Sequence, residues 1–103
     1  MKNGLRTRVK LIKSPRREKK WRVIFPNKTH VDFGASSYQD LLMHQDPIRR
    51  DKYILRHRSR ENWGRSGIHT AGFWSRWLLW SKPTMTGAKA LIKKKFGITI
   101  SST

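Results

Sequence analysis

The chain has 103 residues, enough for one small domain, and its 24 Lys and Arg against 6 Asp and Glu give a formal charge of +18. A chain so charged repels itself when free and calls for a polyanionic or acidic partner. The absence of cysteine excludes disulfides and thiolate metal sites. No apolar run is long enough for a membrane-spanning helix or the core of a secretion signal, so neither is expected.

Charge is unevenly placed. Residues 1–20 carry +8, 21–40 are neutral, 41–60 carry +4, 61–80 carry +1 and 81–103 carry +5. Residues 1–20 therefore read as an extended basic arm, 21–98 as a single folded unit and 99–103 as a tail. In the arm, Leu5, Thr7, Val9 and Leu11 alternate with Arg6, Arg8 and Lys10. That period of two fits a half-buried strand, or an arm with one apolar face. Trp21–Gly34 reads as a β-hairpin, with Trp21, Val23 and Phe25 on one face, Val31 and Phe33 returning on it, and Pro26-Asn27-Lys28 at the turn. Pairing with residues 5–13 would complete a three-stranded antiparallel sheet.

The helical half follows. Residues 35–46 hold a short helical turn at most. Asp46-Pro47 is a helix start, a capping side chain followed by proline at the first helical position. That helix should run to Arg60 with Ile48, Lys52 and Leu55 sharing one face. Thr70 is placed to cap a second helix reaching about Ser81, in which Phe73, Trp77 and Trp80 form one stripe and Trp74 and Leu78 another. A helix so widely apolar should be sandwiched between layers, with Trp77 almost completely buried. Thr84 or Thr86 caps the last helix, Leu91 and Phe96 face inward, and Gly97 closes it in a left-handed conformation. The expected fold is α+β, a hairpin or three-stranded sheet on about three helices. Its core is Trp21, Phe25, Phe33, Phe73, Trp77, Trp80, Leu91 and Phe96.

The helical spacing of Trp74, Trp77 and Trp80 favours a core over a base-stacking platform or a membrane foot. Only Arg76 supplies the cationic face that a membrane helix needs. His44, Asp46, Asp51, His57 and Glu61 could be drawn as a metal or nuclease centre, but they match no ligand motif and read as solvated or capping groups. No catalytic residue, metal or cofactor is expected. The basic clusters carry the functional signal. One holds Arg6, Arg8, Lys10, Lys13, Arg16, Arg17, Lys19 and Lys20. A second, in RRDKYILRHRSR, holds Arg49, Arg50, Arg56, Arg58 and Arg60. The third is Lys93, Lys94 and Lys95. Such clusters take phosphate through charge without reading sequence, or grip anionic lipid or acidic protein surfaces.

The segments VDFGASSYQDLLMHQD, RRDKYILRHRSRENW and AGFWSRWLLWSKPT, followed by a lysine-rich helix ending in Phe96-Gly97, resemble a family of small basic, uncharacterised proteins of nucleocytoplasmic large DNA viruses, with relatives in algae. The resemblance spans roughly residues 19–97. It implies a protein made in the cytoplasm of an infected cell and placed in the virion, among capsid proteins, anionic lipid of an inner membrane, and DNA. In that setting the leading expectation is a minor capsid, or cement, protein, whose arm would lay Leu5, Val9 and Leu11 into neighbouring subunits. The alternative is a sequence-independent nucleic-acid-binding protein that condenses DNA or, more distantly, is ribosomal.

Overall fold

The computed structural model describes residues 7–102, and Leu5, Arg6 and Thr103 lie outside that range. Its centre is a four-stranded mixed sheet in the order β3-β2-β1-β4, built from β1 (Thr7–Lys13), β2 (Lys19–Ile24), β3 (His30–Ala35) and β4 (Ile98–Ser102). β1 pairs antiparallel with β2 and parallel with β4, while β3 pairs antiparallel with β2.

Two expected boundaries are therefore corrected. Residues 7–13 are an interior strand rather than part of an arm, and residues 98–102 are its edge partner rather than a tail. The alternation read in the sequence is real, but its apolar side serves the chain's own core. Val9 and Leu11 are buried and Arg8 and Lys10 are exposed on the opposite face. The hairpin lies where expected. Phe25 N donates to Thr29 O at 2.8 Å, and Lys28 takes the turn's left-handed position with φ 73°.

Four helices complete the fold: α1 (Leu41–His44), α2 (Pro47–His57), α3 (Ala71–Trp74) and α4 (Met85–Phe96). The caps follow the side chains that predicted them. Asp46 accepts from Ile48 N, Thr70 from Phe73 N and Thr84 from Gly87 N. Gly97 ends α4 with φ 71°. The core is the layer between one face of the sheet and the α3–α4 pair. Val9, Val23, Phe33 and Ile98 meet Phe73, Trp74, Leu78, Leu79, Ile92 and Phe96 there.

The second predicted helix departs from regular geometry. After α3 the chain widens into π-helical turns over Ser75–Leu79. The wider turn shifts the register beyond it relative to a 3.6-residue helix. Extrapolating that period put Trp77 and Trp80 at the centre of the core. In the fold Trp74 holds that place, fully buried, with its indole N–H donating to Ile68 O at 2.7 Å. Trp77 and Trp80 are half-buried at its margin, as are Trp21 and Leu91. Phe25, Phe33, Phe73 and Phe96 are buried as expected.

The phase of α2 is also corrected. Ile48 and Leu55 are 65% and 64% exposed, and Tyr53 is the residue that packs inward. The tyrosine ring lies 4.4 Å from that of Trp80 at an interplanar angle of 3°, and within the helix it also stacks on His57 at 4.4 Å. The offset from Ile48 and Leu55 to Tyr53 lets the helix dock through an aromatic pair, which is worth about 0.5–1.5 kcal/mol beyond the area it buries.

On the outer face of the sheet, Asp32 accepts from Arg22 Nε and NH2 and from Ser14 Oγ. The Arg22 hydrogen bond is the main cause that holds the carboxyl below the ordinary aspartate range. Its stabilising effect is fully present above the unfolded carboxylate pKa, about 3.9, and is lost as pH falls through the lower folded value. Urea midpoints measured on the acid side should fall less steeply for Asp32→Asn than for wild type. Trp74→Ala should cost about 3–5 kcal/mol, and Trp77→Ala clearly less, in the same denaturation experiment. An equal loss at the two tryptophans would contradict this packing.

Candidate polyanion-binding cleft

The off-centre position of α2 opens a cleft of about 760 Å³ between that helix, the β2–β3 end of the sheet and α3. Five cations reach it from distant parts of the chain. Lys19 and Lys20 come from the start of β2, and Arg49, Lys52 and Arg56 from successive turns of α2. The last three share a side because they are spaced at i, i+3 and i+7.

Few of these charges are neutralised. Lys20 Nζ lies 2.5 Å from Asp40 Oδ2, with both groups largely buried. Arg49 NH1 donates to Gln39 Oε1 at 3.2 Å, a neutral acceptor. Lys19, Lys52 and Arg56 form no ion pair among the described residues. The other carboxylate lining the cleft, Glu61, is already engaged. It lies 3.1 Å from His57 Nδ1 and accepts from the Trp63 indole N–H at 2.9 Å.

Glycines line the cleft where a side chain would close it. A Cβ on Gly72 would stand 2.9 Å from the Glu61 carboxyl carbon, and one on Gly34 would stand 2.7 Å from Leu79 Cδ1. Gly34 has φ 79°, a conformation that favours glycine. Tyr38, 73% exposed, is another lining residue. Tyr53 also lines the cleft, and burial, with Glu61 nearby, pushes its phenol pKa well above the ordinary value, so the ring is a neutral group at physiological pH.

The predicted site residues divide accordingly. Lys19, Lys20, Arg49 and Arg56 come together in the cleft. Lys13, Arg16 and Arg17 line a second cavity that adjoins the cleft at Lys19, Lys20 and Asp40. Arg8 and Lys10 stand on the outer sheet face, Arg50 is half-buried and pairs with Asp51, and Arg6 lies outside the described residues. Arg58, Arg60, Lys93, Lys94 and Lys95 line neither cavity, and Lys95 Nζ sits 5.3 Å from the centre of the Trp77 ring.

Lys52, expected on the apolar face of the helix, lines the cleft instead, and Asp40, Tyr38, Gly34 and Gly72 join it without a motif in the sequence that marks them. Tyr53 and His57, an aromatic pair at i and i+4, were the signal that would have set the helix phase and turned Lys52 toward the cleft. Of His44, Asp46, Asp51, His57 and Glu61, two pairs meet: His57 Nδ1 lies 3.1 Å from Glu61, and Asp46 N donates to His44 Nδ1 at 2.9 Å. No group of three potential metal ligands occurs among the described residues. His57 has no hydrogen-bonded hydroxyl among them either.

The chain matches a family of unknown function, DUF5754, over residues 9–57, a little under half its length. All five cleft cations fall inside that stretch. No curated protein and no solved structure matches the chain.

Clustered, unneutralised cations repel one another, so a multivalent anion should stabilise the fold by binding the native state. Sulfate should raise the melting temperature more than sodium chloride at equal ionic strength. The variant Arg49→Gln/Lys52→Gln/Arg56→Gln should lose that difference. Thermal melts in the two salts check it.

Proposed function

We propose that this chain is a non-enzymatic, sequence-independent nucleic-acid-binding protein that grips the phosphate backbone in the α2 cleft. The observation that carries this reading is the convergence of Lys19, Arg49, Lys52 and Arg56, none in an ion pair among the described residues, on one cleft whose two carboxylates are engaged by Lys20 and by His57 and Trp63. Charge merely needed for solubility would be scattered and partly paired. Cations held on a strand and a helix form a surface on which phosphates release counterions without base readout. The resemblance to small basic proteins of large DNA viruses supports a viral genome as the natural polyanion and the virion as its location.

A second reading keeps the minor capsid role. Val9 and Leu11 cannot fill grooves on neighbouring subunits, since they are buried in the chain's own core. What favours the capsid role is the exposed apolar pair Ile48 and Leu55 on one face of α2, a place where a capsid neighbour could pack. Fractionation of disrupted virions separates the two. A protein that leaves with the DNA supports the nucleic-acid reading, and one that stays with the shell after lipid and DNA are removed supports cement.

The binding reading predicts a strong salt dependence. Affinity for a short duplex should fall steeply between low and physiological salt. Replacing Arg49, Lys52 and Arg56 by Gln should reduce the slope of log K against log salt by about 2–3. Fluorescence anisotropy across a salt series measures it. An unchanged slope would remove these three side chains from the phosphate contact.

A further inference from the structure

The cleft has a neighbour of different character. A second cavity of about 530 Å³ lies beside it, with Trp21, Leu42 and Met43 among its lining and Lys13, Arg16 and Arg17 alongside them. Its volume falls in the range of small-ligand pockets, roughly 300–1,000 Å³. The two cavities share Lys19, Lys20 and Asp40. Lys20 joins them directly, because its ammonium touches Asp40 Oδ2 at 2.5 Å and Met43 Sδ at 3.4 Å. A row of cations therefore continues past an apolar patch that contains a half-buried tryptophan and a methionine 59% exposed.

Phosphate alone gives no reason for that patch. A double helix presents its backbone outward and keeps its bases paired and stacked, so its apolar surface could enter the cavity only after a base is flipped out, at a cost of a few kcal/mol. A single strand offers phosphates and unpaired base faces side by side. Those are the two chemistries that the cleft and the cavity present in succession, and aromatic platforms bordered by cations are how unpaired strands are held without sequence preference. An anionic lipid fits less well. It needs one headgroup site and room for an acyl chain, whereas here the cations extend through both cavities and the apolar part is limited to three side chains.

Resting on the nucleic-acid reading above, we propose that the two cavities form one track for single-stranded nucleic acid, with phosphates over the cleft cations and a base against Trp21, Leu42 and Met43. The protein then prefers an unpaired strand to the duplex of the same sequence, and the preference resides in the second cavity.

The test compares an oligothymidylate, a duplex of equal length and phosphatidylserine-containing vesicles, with wild type, Trp21→Leu, Met43→Ser and Arg49→Gln/Lys52→Gln/Arg56→Gln. Wild type should bind the single strand more tightly than the duplex. Trp21→Leu should weaken single-strand binding by about tenfold, within the range of one base–aromatic stack, and leave duplex affinity unchanged. Met43→Ser, at an exposed position, should shift it in the same direction by less, and it carries the test if Trp21→Leu fails to fold. The triple charge variant should weaken both nucleic acids. Equal single-strand affinity in wild type and both cavity variants overturns the track while leaving the phosphate cleft standing. A loss confined to vesicles assigns the cavity to lipid and also overturns it. Failure of wild type to bind either nucleic acid overturns the underlying reading as well.

Discussion

Six carboxylates must serve 24 cations in this chain, and the fold depends on how they are placed. Asp32 ties β2 to β3 and the β1–β2 turn through Arg22 and Ser14. Asp40 pins Lys20 beside α1, Asp46 caps α2, and Glu61 holds both His57 and Trp63. Glu18 and Asp51 pair locally with Arg16 and Arg50. Every acid has a partner within the fold, and the buried or half-buried ones occupy junctions between elements. Among the described residues most cations form no ion pair, and most of these stand where water bears the cost of their charge, with Arg76 the partly buried exception. The core that offsets their repulsion is small and aromatic, which suits a domain of this size.

The same scarcity creates the cleft. α2 meets the rest of the domain through Tyr53, stacked on Trp80, and through His57, whose Nδ1 lies 3.1 Å from Glu61, so its cationic flank faces the Lys19–Lys20 corner across a cleft whose two acids, Asp40 and Glu61, are engaged by Lys20 and by His57 and Trp63. Arg76 extends the pattern. Its guanidinium lies over the rings of Trp63 and Trp77, at 5.3 and 4.4 Å from their centres, and donates to Trp80 O. Burial pushes its pKa down from the usual arginine value, and the two indole faces take the part that a carboxylate would otherwise play.

Much of this was legible in the residues, and the parts that were not have physical causes. Local signals transferred well. Asp46-Pro47, Thr70, Thr84 and Gly97 marked helix ends because capping depends on a few adjacent atoms, and the 21–34 hairpin followed from its alternation and turn. Non-local choices did not transfer. The alternation of residues 7–13 is the same whether its apolar face meets another subunit or its own core, and nothing nearby in sequence reveals β4 as a partner about 90 residues on. Charge density suggested an arm, yet a strand tolerates Arg8 and Lys10 when one face is open to solvent. The π-helical turns broke the 3.6-residue extrapolation and exchanged the places of Trp74 and Trp77. For the site, the residue class was readable, but which cations meet was not, since the cleft joins β2 to a helix some 30 residues later and α2 was assigned the wrong inward face.

The proposed binding belongs to one cleft and is not a property of net charge. The most direct measurement is the map of backbone amide chemical-shift changes when a short oligonucleotide is titrated into the labelled protein. The largest changes should cluster at residues 19–20, 34–40 and 49–57, the strand, loop and helix that line the cleft. Changes of equal size along Arg8, Lys10 and Thr99 on the outer sheet face, or along Lys93–Lys95 on α4, would contradict it and leave the protein a diffusely charged surface with no site.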